Sequence, residues 1–264
     1  MYLISSLSFS LSLSLYDYLA TGIAWISFVT TFLICCRVYP QEHTEKKLSS
    51  GERRISANEM KHIFSTSKKN LLVALPVGLG MRIFLPVLID IPWYLRFLVG
   101  IVVFDALYYC IHYLFHNVAI LKRHHDMHHE YNLANPRSTY YSSMVENVLL
   151  NTATVCFVPF GLGFSNVEVI LWFTLVSVFV SMLHSNMPIM GQDYHLIHHY
   201  KRYCNYGLFG ITDIMMMTFC NKFSFSKEVA NIVANYNEIT SNMDLELFIR
   251  NNLAKIRSIS VYTE

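Results

Sequence analysis

A chain of 264 residues that is 53% apolar and only 14% charged falls well short of the charged content, about a quarter, of soluble domains. With a mean hydropathy of +0.35, it reads as a membrane protein, and a formal charge of +2 is too small to suggest a nucleic-acid partner. The length suits one compact unit without a second domain.

Residues 1–16 are rich in Ser and Leu and lead into an apolar run from Tyr18 to Cys36. No charged stretch and no small-residue cleavage site precede that run, so it is expected to be a retained membrane anchor. Arg37 to Lys69 is a polar loop carrying Lys46, Lys47, Arg53, Arg54, Lys61, Lys68 and Lys69. Within it, Ser56 and Glu59 form a capping-box signature for a short interfacial helix. A second apolar run covers Asn70–Ile91, a third covers Pro92–Asn117, and a polar loop continues to Glu146. Residues 147–184 are apolar again, but Pro159, Gly161 and Gly163 break them into a helical hairpin. From Asn221 the chain is polar, with Phe225, Val229, Ile232, Val233 and Tyr236 at amphipathic-helix spacing. The expected architecture is an all-α polytopic membrane protein with four or more spanning or re-entrant helices. Its regions are an N-terminal anchor with a basic loop (1–91), a histidine-bearing region (92–220) and an amphipathic tail (221–264).

Charge sets the expected topology. Arg37–Lys69 is the most basic loop and belongs on the cytoplasmic side. Successive crossings then return both His112–Glu146 and His184–His199 to that side, giving a cytoplasmic histidine-rich cap. About 26 residues at about 1.5 Å each make the third run about 39 Å long, beyond the roughly 30 Å hydrocarbon core, so its last turns should project with His112 and His116.

Twelve histidines are the anomaly, ten of them between His112 and His199. Three boxes stand out: His112-Tyr-Leu-Phe-His116, His125-Asp-Met-His128-His129 and His195-Leu-Ile-His198-His199. Residues three and four apart share a helix face, so each box is expected to aim its imidazoles in one direction. Neutral imidazoles suit iron, zinc, copper or nickel, and eight of them exceed one tetrahedral zinc, so two metals are the natural count. Two irons sharing a site can activate dioxygen toward an unactivated C–H bond. A lone histidine is more simply a hydrogen-bonded polar side chain, but three boxes within about 90 residues are not so explained. A membrane transporter or metal store would string ligands along a path through the bilayer, whereas these gather at one interface.

Other residues take humbler readings. The six cysteines form no CxxC pair and read as small apolar fillers. His124 is expected to be solvated or to support a ligand, Tyr108 and Tyr109 to pack, and Met215–Met217 to be core or lipid-facing filler rather than copper thioethers. Lys122, Arg123, Lys201 and Arg202 are expected to anchor to headgroups, with docking of an acidic electron donor as a second use.

In combination these motifs resemble the fatty acid hydroxylase/sterol desaturase superfamily of membrane non-haem di-iron oxygenases, over about residues 92–220. Asp105 stands seven residues before His112, His184-Ser-Asn follows the fourth long apolar segment, and Asn205-Tyr-Gly207 with Asp213 resembles the family's ending. Asn132, Asn135 and Glu146 are similar to the family's loop after the second box. The chain departs from the pattern at Tyr113, at Thr212-Asp213 through Thr218, and in the short stretch from His184 to His195. Acyl-coenzyme A desaturases separate their first two boxes much further, and a carotenoid hydroxylase-like variant is an alternative. The resemblance implies two iron ions, with zinc possible on purification, held by His112, His116, His125, His128, His129, His184, His195, His198 and His199, and supported by Asp105, Asn205 and Asp213. It also implies dioxygen, and a sterol, fatty acyl or sphingoid substrate that is hydroxylated or desaturated. Electrons would come from a separate donor such as cytochrome b5 or a ferredoxin with its reductase. The membrane would be the endoplasmic reticulum in a eukaryote or the inner membrane in a bacterium.

Asp105 carries a sharper expectation. At about 100° per residue it shares a helix face with His112 and His116, so it could orient an imidazole of another box; the competing reading is an ion pair with Arg82.

Overall fold

The computed structural model describes residues 14–38, 56–89, 91–130, 135–185 and 193–220, and among these it is all-α with no strand. Helix α1 (Leu15–Val38) begins where Asp17 accepts bonds from the Ser14 N–H and hydroxyl. Helix α2 (Ala57–Phe84) starts at the Ser56–Glu59 capping box, with both reciprocal bonds made. The expected short interfacial helix is therefore the first part of a continuous 28-residue helix. Lys68 and Lys69 are good helix formers and do not interrupt it. The chain leaves the helix at Leu85, because Pro86 disfavours the α region for the residue before it. Residues 85–89 are not helical and the Leu88 N–H donates to the Gly161 carbonyl, so the run does not stay helical to Ile91 as expected.

Helix α3 (Trp93–Asn117) bends at Val118 into the two-turn α4 (Ala119–His125). After short 3-10 turns at His128–Glu130 and Pro136–Ser138, helix α5 (Met144–Gly161) carries a π-helical stretch at Asn147–Thr152. The turn after Gly161 leads to α6 (Asn166–Leu183), whose start is a second capping box, Ser165–Glu168. The sequence-predicted hairpin over 147–184 is α5–α6. Two short helices follow, α7 (Asp193–Lys201) and α8 (Ile211–Met215). The predicted amphipathic tail and Asn132 lie outside the described residues.

Among the described residues, four helices are long and apolar enough to cross a membrane: α1, α3, α5 and α6. Helix α2, in which Lys68, Lys69 and Arg82 punctuate the apolar residues, is not one of them. Polar pairs fix which ends lie together. Arg82 near the end of α2 pairs with Asp17 at the start of α1 (3.4 Å), and Asn166 at the start of α6 donates to the same carboxylate (3.0 Å). Arg96 near the start of α3 pairs with Glu168 on α6 (3.0 Å). At the opposite end, Ser67 and Asn70 of α2 bond the loop over residues 137–142. So α1, α3 and α6 run one way and α2 and α5 the other, the alternation expected from the charge pattern. Buried aromatic side chains fill the bundle, among them Trp25, Phe28, Phe32, Phe104, Trp172 and Phe173. The indole N–H groups of Trp25 and Trp172 are satisfied by the carbonyls of Leu71 and Val155, as buried donors must be.

Candidate metal centre

Nine of the twelve histidines meet at one end of this bundle. Their arrangement is two groups, His112, His116, His125, His129 and His198, and His128, His184, His195 and His199; within each group the candidate ligand atoms all lie within 4.8 Å of one another. Helix α3 supplies His112 and His116, one turn apart. The bend at Val118 turns the chain back so that His125, closing α4, brings its Nε2 to 3.0 Å from that of His112 and 2.9 Å from that of His116. His198 completes the group, 3.1 Å from His116 and 3.2 Å from His129. In the second group His184, capping α6, lies 3.4 Å from His128 and 3.2 Å from His195, and His195 lies 3.2 Å from His199. The two groups touch, with the rings of His129 and His199 centred 4.7 Å apart.

The boxes do not each face one way. In the second box His125 and His129 join one group and His128 the other; in the third, His195 and His199 join one group and His198 the other. This corrects the expectation of one direction per box. Members at i and i+4 are about 40° apart around a helix and the i+3 member lies on the other side of the first, so a box facing the junction of two groups divides between them.

Main-chain carbonyls set the tautomers. The Nδ1 atoms of His112, His198, His128 and His184 lie 2.7, 2.7, 3.1 and 2.9 Å from the carbonyl oxygens of Tyr206, Cys204, Tyr141 and Val180. A carbonyl only accepts, so Nδ1 carries the proton and Nε2 is left as a bare lone pair. Lone pairs converging at about 3 Å repel unless a cation lies among them, so the donor set is chemically matched to a metal ion. Burial acts in the same direction. It lowers His128 to about 4 and His184 and His198 to about 3, and holds His125, His129, His195 and His199 well below the ordinary imidazole value, in the neutral, ligating form.

Residues 97–218, which contain every one of these histidines, match the family model for the fatty acid hydroxylase. Over this stretch the chain is similar to the fatty acid hydroxylase family. Over 131 residues it is 25% identical to fatty acid hydroxylase domain-containing protein 2 of Homo sapiens, and to its namesake in Macaca fascicularis, a stretch covering 47% of this chain and 39% of each relative. The match thus spans well under half the length of these curated relatives. No solved structure matches the chain.

Within residues 97–218, the supporting residues act differently from expectation. Asp105, fully buried at mid-α3, accepts the backbone N–H groups of Leu208 (2.9 Å), Phe209 (2.6 Å) and Thr212 (2.7 Å). It touches no imidazole, and Arg82 pairs with Asp17 instead, so both sequence-based roles give way to a third: Asp105 clamps the loop after α7. Asp213 accepts the N–H groups of Tyr206 (2.8 Å) and Gly207 (2.6 Å), the Thr218 hydroxyl (2.7 Å) and the Tyr194 hydroxyl. Gly207 lies between the two carboxylates. A Cβ there would stand 2.7 Å from Asp105 Oδ1 and 2.9 Å from Asp213 Oδ2, so only glycine fits. Asn205 ties α7 to the end of the loop by donating to the Tyr194 and Cys220 carbonyls and accepting the Cys220 N–H. These clamps reach the histidines through the Cys204 and Tyr206 carbonyls.

Glu146, 1% exposed, places Oε1 3.0 Å from His125 Nδ1, the carboxylate–imidazole pairing common behind metal ligands. Sequence reasoning missed Asn70, whose amide donates to the Tyr140 and Ser142 carbonyls (both 2.8 Å) and so fixes the Tyr141 carbonyl beside His128. An asparagine at the head of an apolar run was its only signal. His124 is half-buried and belongs to neither group, while Lys122 and Arg123 are exposed. Lys201 is buried, and Arg202 donates to the His129 carbonyl (3.0 Å), so neither projects as a headgroup anchor. All six cysteines are free, and Tyr108 and Tyr109 are buried among the helices.

Proposed function

We propose that the protein is a membrane-bound di-iron oxygenase that hydroxylates or desaturates a lipid, a sterol, fatty acyl or sphingoid chain, using dioxygen and electrons from a separate donor. The observation that carries this reading is the pair of touching imidazole groups at one end of a transmembrane bundle, five histidines in one and four in the other. His112, His116, His125, His129 and His198 would hold one ion, and His128, His184, His195 and His199 the second. Iron bound by these imidazoles supplies reduction of dioxygen and attack on an unactivated C–H bond.

The chain's own residues provide the rest. A small cavity whose mostly apolar lining includes Phe28, Phe104, Val155, Val176 and Val180 lies between the helices beside His184. Its apolar walls would keep water from that end of the site. Glu146 and the four carbonyls keep the ring protons on Nδ1, holding Nε2 toward the ions. The basic residues of 37–69 support a cytoplasmic histidine end, in the endoplasmic reticulum of a eukaryote or the inner membrane of a bacterium. There the exposed Lys122 and Arg123 would meet an acidic donor such as cytochrome b5 or a ferredoxin. A metal transporter is disfavoured because both groups lie at one end of the helices, with no ligand set along the bundle among the described residues.

The test joins metal analysis to lipidomics. Cells carrying the protein should contain a lipid that has gained one oxygen or lost two hydrogens relative to cells lacking it. The purified protein should bind about two ions per chain, with zinc able to displace ferrous iron during preparation. His128→Ala and His198→Ala should each lose an ion together with the product. Full product formation by either variant would overturn the assignment.

A further inference from the structure

The segment after α7 packs around two buried carboxylates, its own Asp213 and Asp105 of α3, carries seven exposed or half-exposed apolar side chains and has only the short α8 as regular structure, an unusual combination in a membrane protein. Its position along the bundle is fixed by contacts. Asp105 lies twelve residues into the 25-residue α3, so the N–H groups of Leu208, Phe209 and Thr212 that it accepts are about 18 Å from either end of that helix. Phe209 stacks on Phe179 of α6 with centroids 4.3 Å apart and meets Phe104 of α3 at 6.4 Å, so two helices independently give the same depth. The chain then returns. The Thr218 hydroxyl lies 3.3 Å from that of Tyr109, one turn nearer the histidine end, and Asn205 bonds Cys220, closing the excursion where it began.

Irregular backbone at that depth survives only where its polar groups are satisfied by protein. Asp105 takes three N–H groups and Asp213 two, and Gly207 lets both carboxylates approach the same turn. The outer surface of the excursion is apolar: Ile214, Met215, Met216 and Met217 are 64%, 75%, 58% and 94% exposed. Helix α3 shows the same exposed apolar character deeper along the bundle, at Leu98 and Val102, about 10 and 5 Å beyond Asp105 from the histidine end.

We propose that residues 205–220 form a re-entrant hairpin whose Met215–Met217 tip is immersed in the hydrocarbon of the bilayer beside α3, level with Asp105–Tyr109 and so roughly 5–10 Å below the interface at the histidine end. The partner of this surface is lipid acyl chains. Unbranched methionine side chains suit a disordered hydrocarbon neighbour. Because the hairpin carries the Tyr206 carbonyl that orients His112 and directly follows the Cys204 carbonyl that orients His198, the bilayer becomes part of what seats the five-histidine group.

A nitroxide attached at Met217→Cys tests this in the full-length protein in phospholipid nanodiscs, in a Cys110→Ser, Cys220→Ser background whose residual labelling is subtracted. Met215→Cys provides a second site. Collisional accessibility to oxygen, which partitions into lipid, is compared with that to a water-soluble nickel chelate. Leu98→Cys gives the lipid reference and Lys122→Cys the water reference. The oxygen-to-nickel ratio at both tip sites should lie within about twofold of Leu98 and at least about tenfold above Lys122. A ratio like that of Lys122 would place the tip in water. Shielding from both reagents would mean that protein, another part of this chain or a second copy, covers it. Either result overturns the proposal, and neither depends on which metal or lipid substrate the histidine groups serve.

Discussion

Replacing Asp105 by Asn separates its role as a backbone clamp from any role in pairing charge. Asp105 accepts three N–H groups, two on Oδ1 and one on Oδ2. The amide of Asn keeps one acceptor oxygen. If that oxygen takes the place of Oδ1, the bonds to Leu208 and Phe209 persist without the charge, each weaker by about 1 kcal/mol, and the Thr212 N–H faces an NH2 donor and is orphaned at about 1–3 kcal/mol. The hairpin's docking should weaken by about 3–5 kcal/mol, two to nearly four orders of magnitude in its equilibrium. The consequence is asymmetric. The carbonyls orienting His112 and His198 belong to residues 206 and 204, close to the clamp, whereas those orienting His128 and His184 belong to residues 141 and 180, away from it. Asp105→Asn should therefore insert and fold, yet fall from about two bound ions to about one after a chelator challenge, read by mass spectrometry of the metal, with the four-histidine ion retained. Arg82→Leu, which breaks only the pair with Asp17, should leave metal retention unchanged. Two ions held as firmly in Asp105→Asn as in the wild type would refute the clamp.

The converse perturbation is Asn70→Ala, which strips the Tyr140 and Ser142 carbonyls of their donor and loosens the Tyr141 carbonyl behind His128. It should release the four-histidine ion first, and preferential loss from the five-histidine group would contradict this path. Acid should destabilise the metal-free protein. Burial holds His128 at about 4 and His198 at about 3 against an ordinary 6.5, so between those values the unfolded chain binds protons that the folded chain does not. Stability is full above about pH 6.5 and falls as the pH drops toward 4, and a melting temperature in detergent that is flat from pH 8 to pH 5 would be inconsistent with neutral buried imidazoles.

Much of the fold was legible because bilayer-length apolar runs and their alternation leave little freedom: α1, α3 and the α5–α6 hairpin lie where the runs lie. The second run misled because hydropathy and helicity are different properties. Lys68 and Lys69 lower hydropathy without weakening a helix, so the apolar boundary at Asn70 sits in the middle of α2. The capping box at Ser56 marked the true start, and Pro86 marked the end.

The histidines declared themselves as ligand candidates, but their partition into five and four did not, because spacing divides each box while only the packed fold shows which parts of different boxes share a group. Asp105 was harder still. Its partners are backbone N–H groups, which every residue but proline possesses, so no complementary side chain exists to be found in the sequence. The trace it left was Gly207, and that trace becomes readable only when two carboxylates are seen on either side of it. The same holds for the carbonyls behind His112, His128, His184 and His198, which are contributed by a tyrosine, a tyrosine, a valine and a cysteine whose side chains are irrelevant to the bond. It follows that the ligands' orientation is encoded in backbone shape: a substitution in 204–212 matters to the metal centre by the φ and ψ it permits and the N–H it retains, more than by the chemistry of the side chain it introduces.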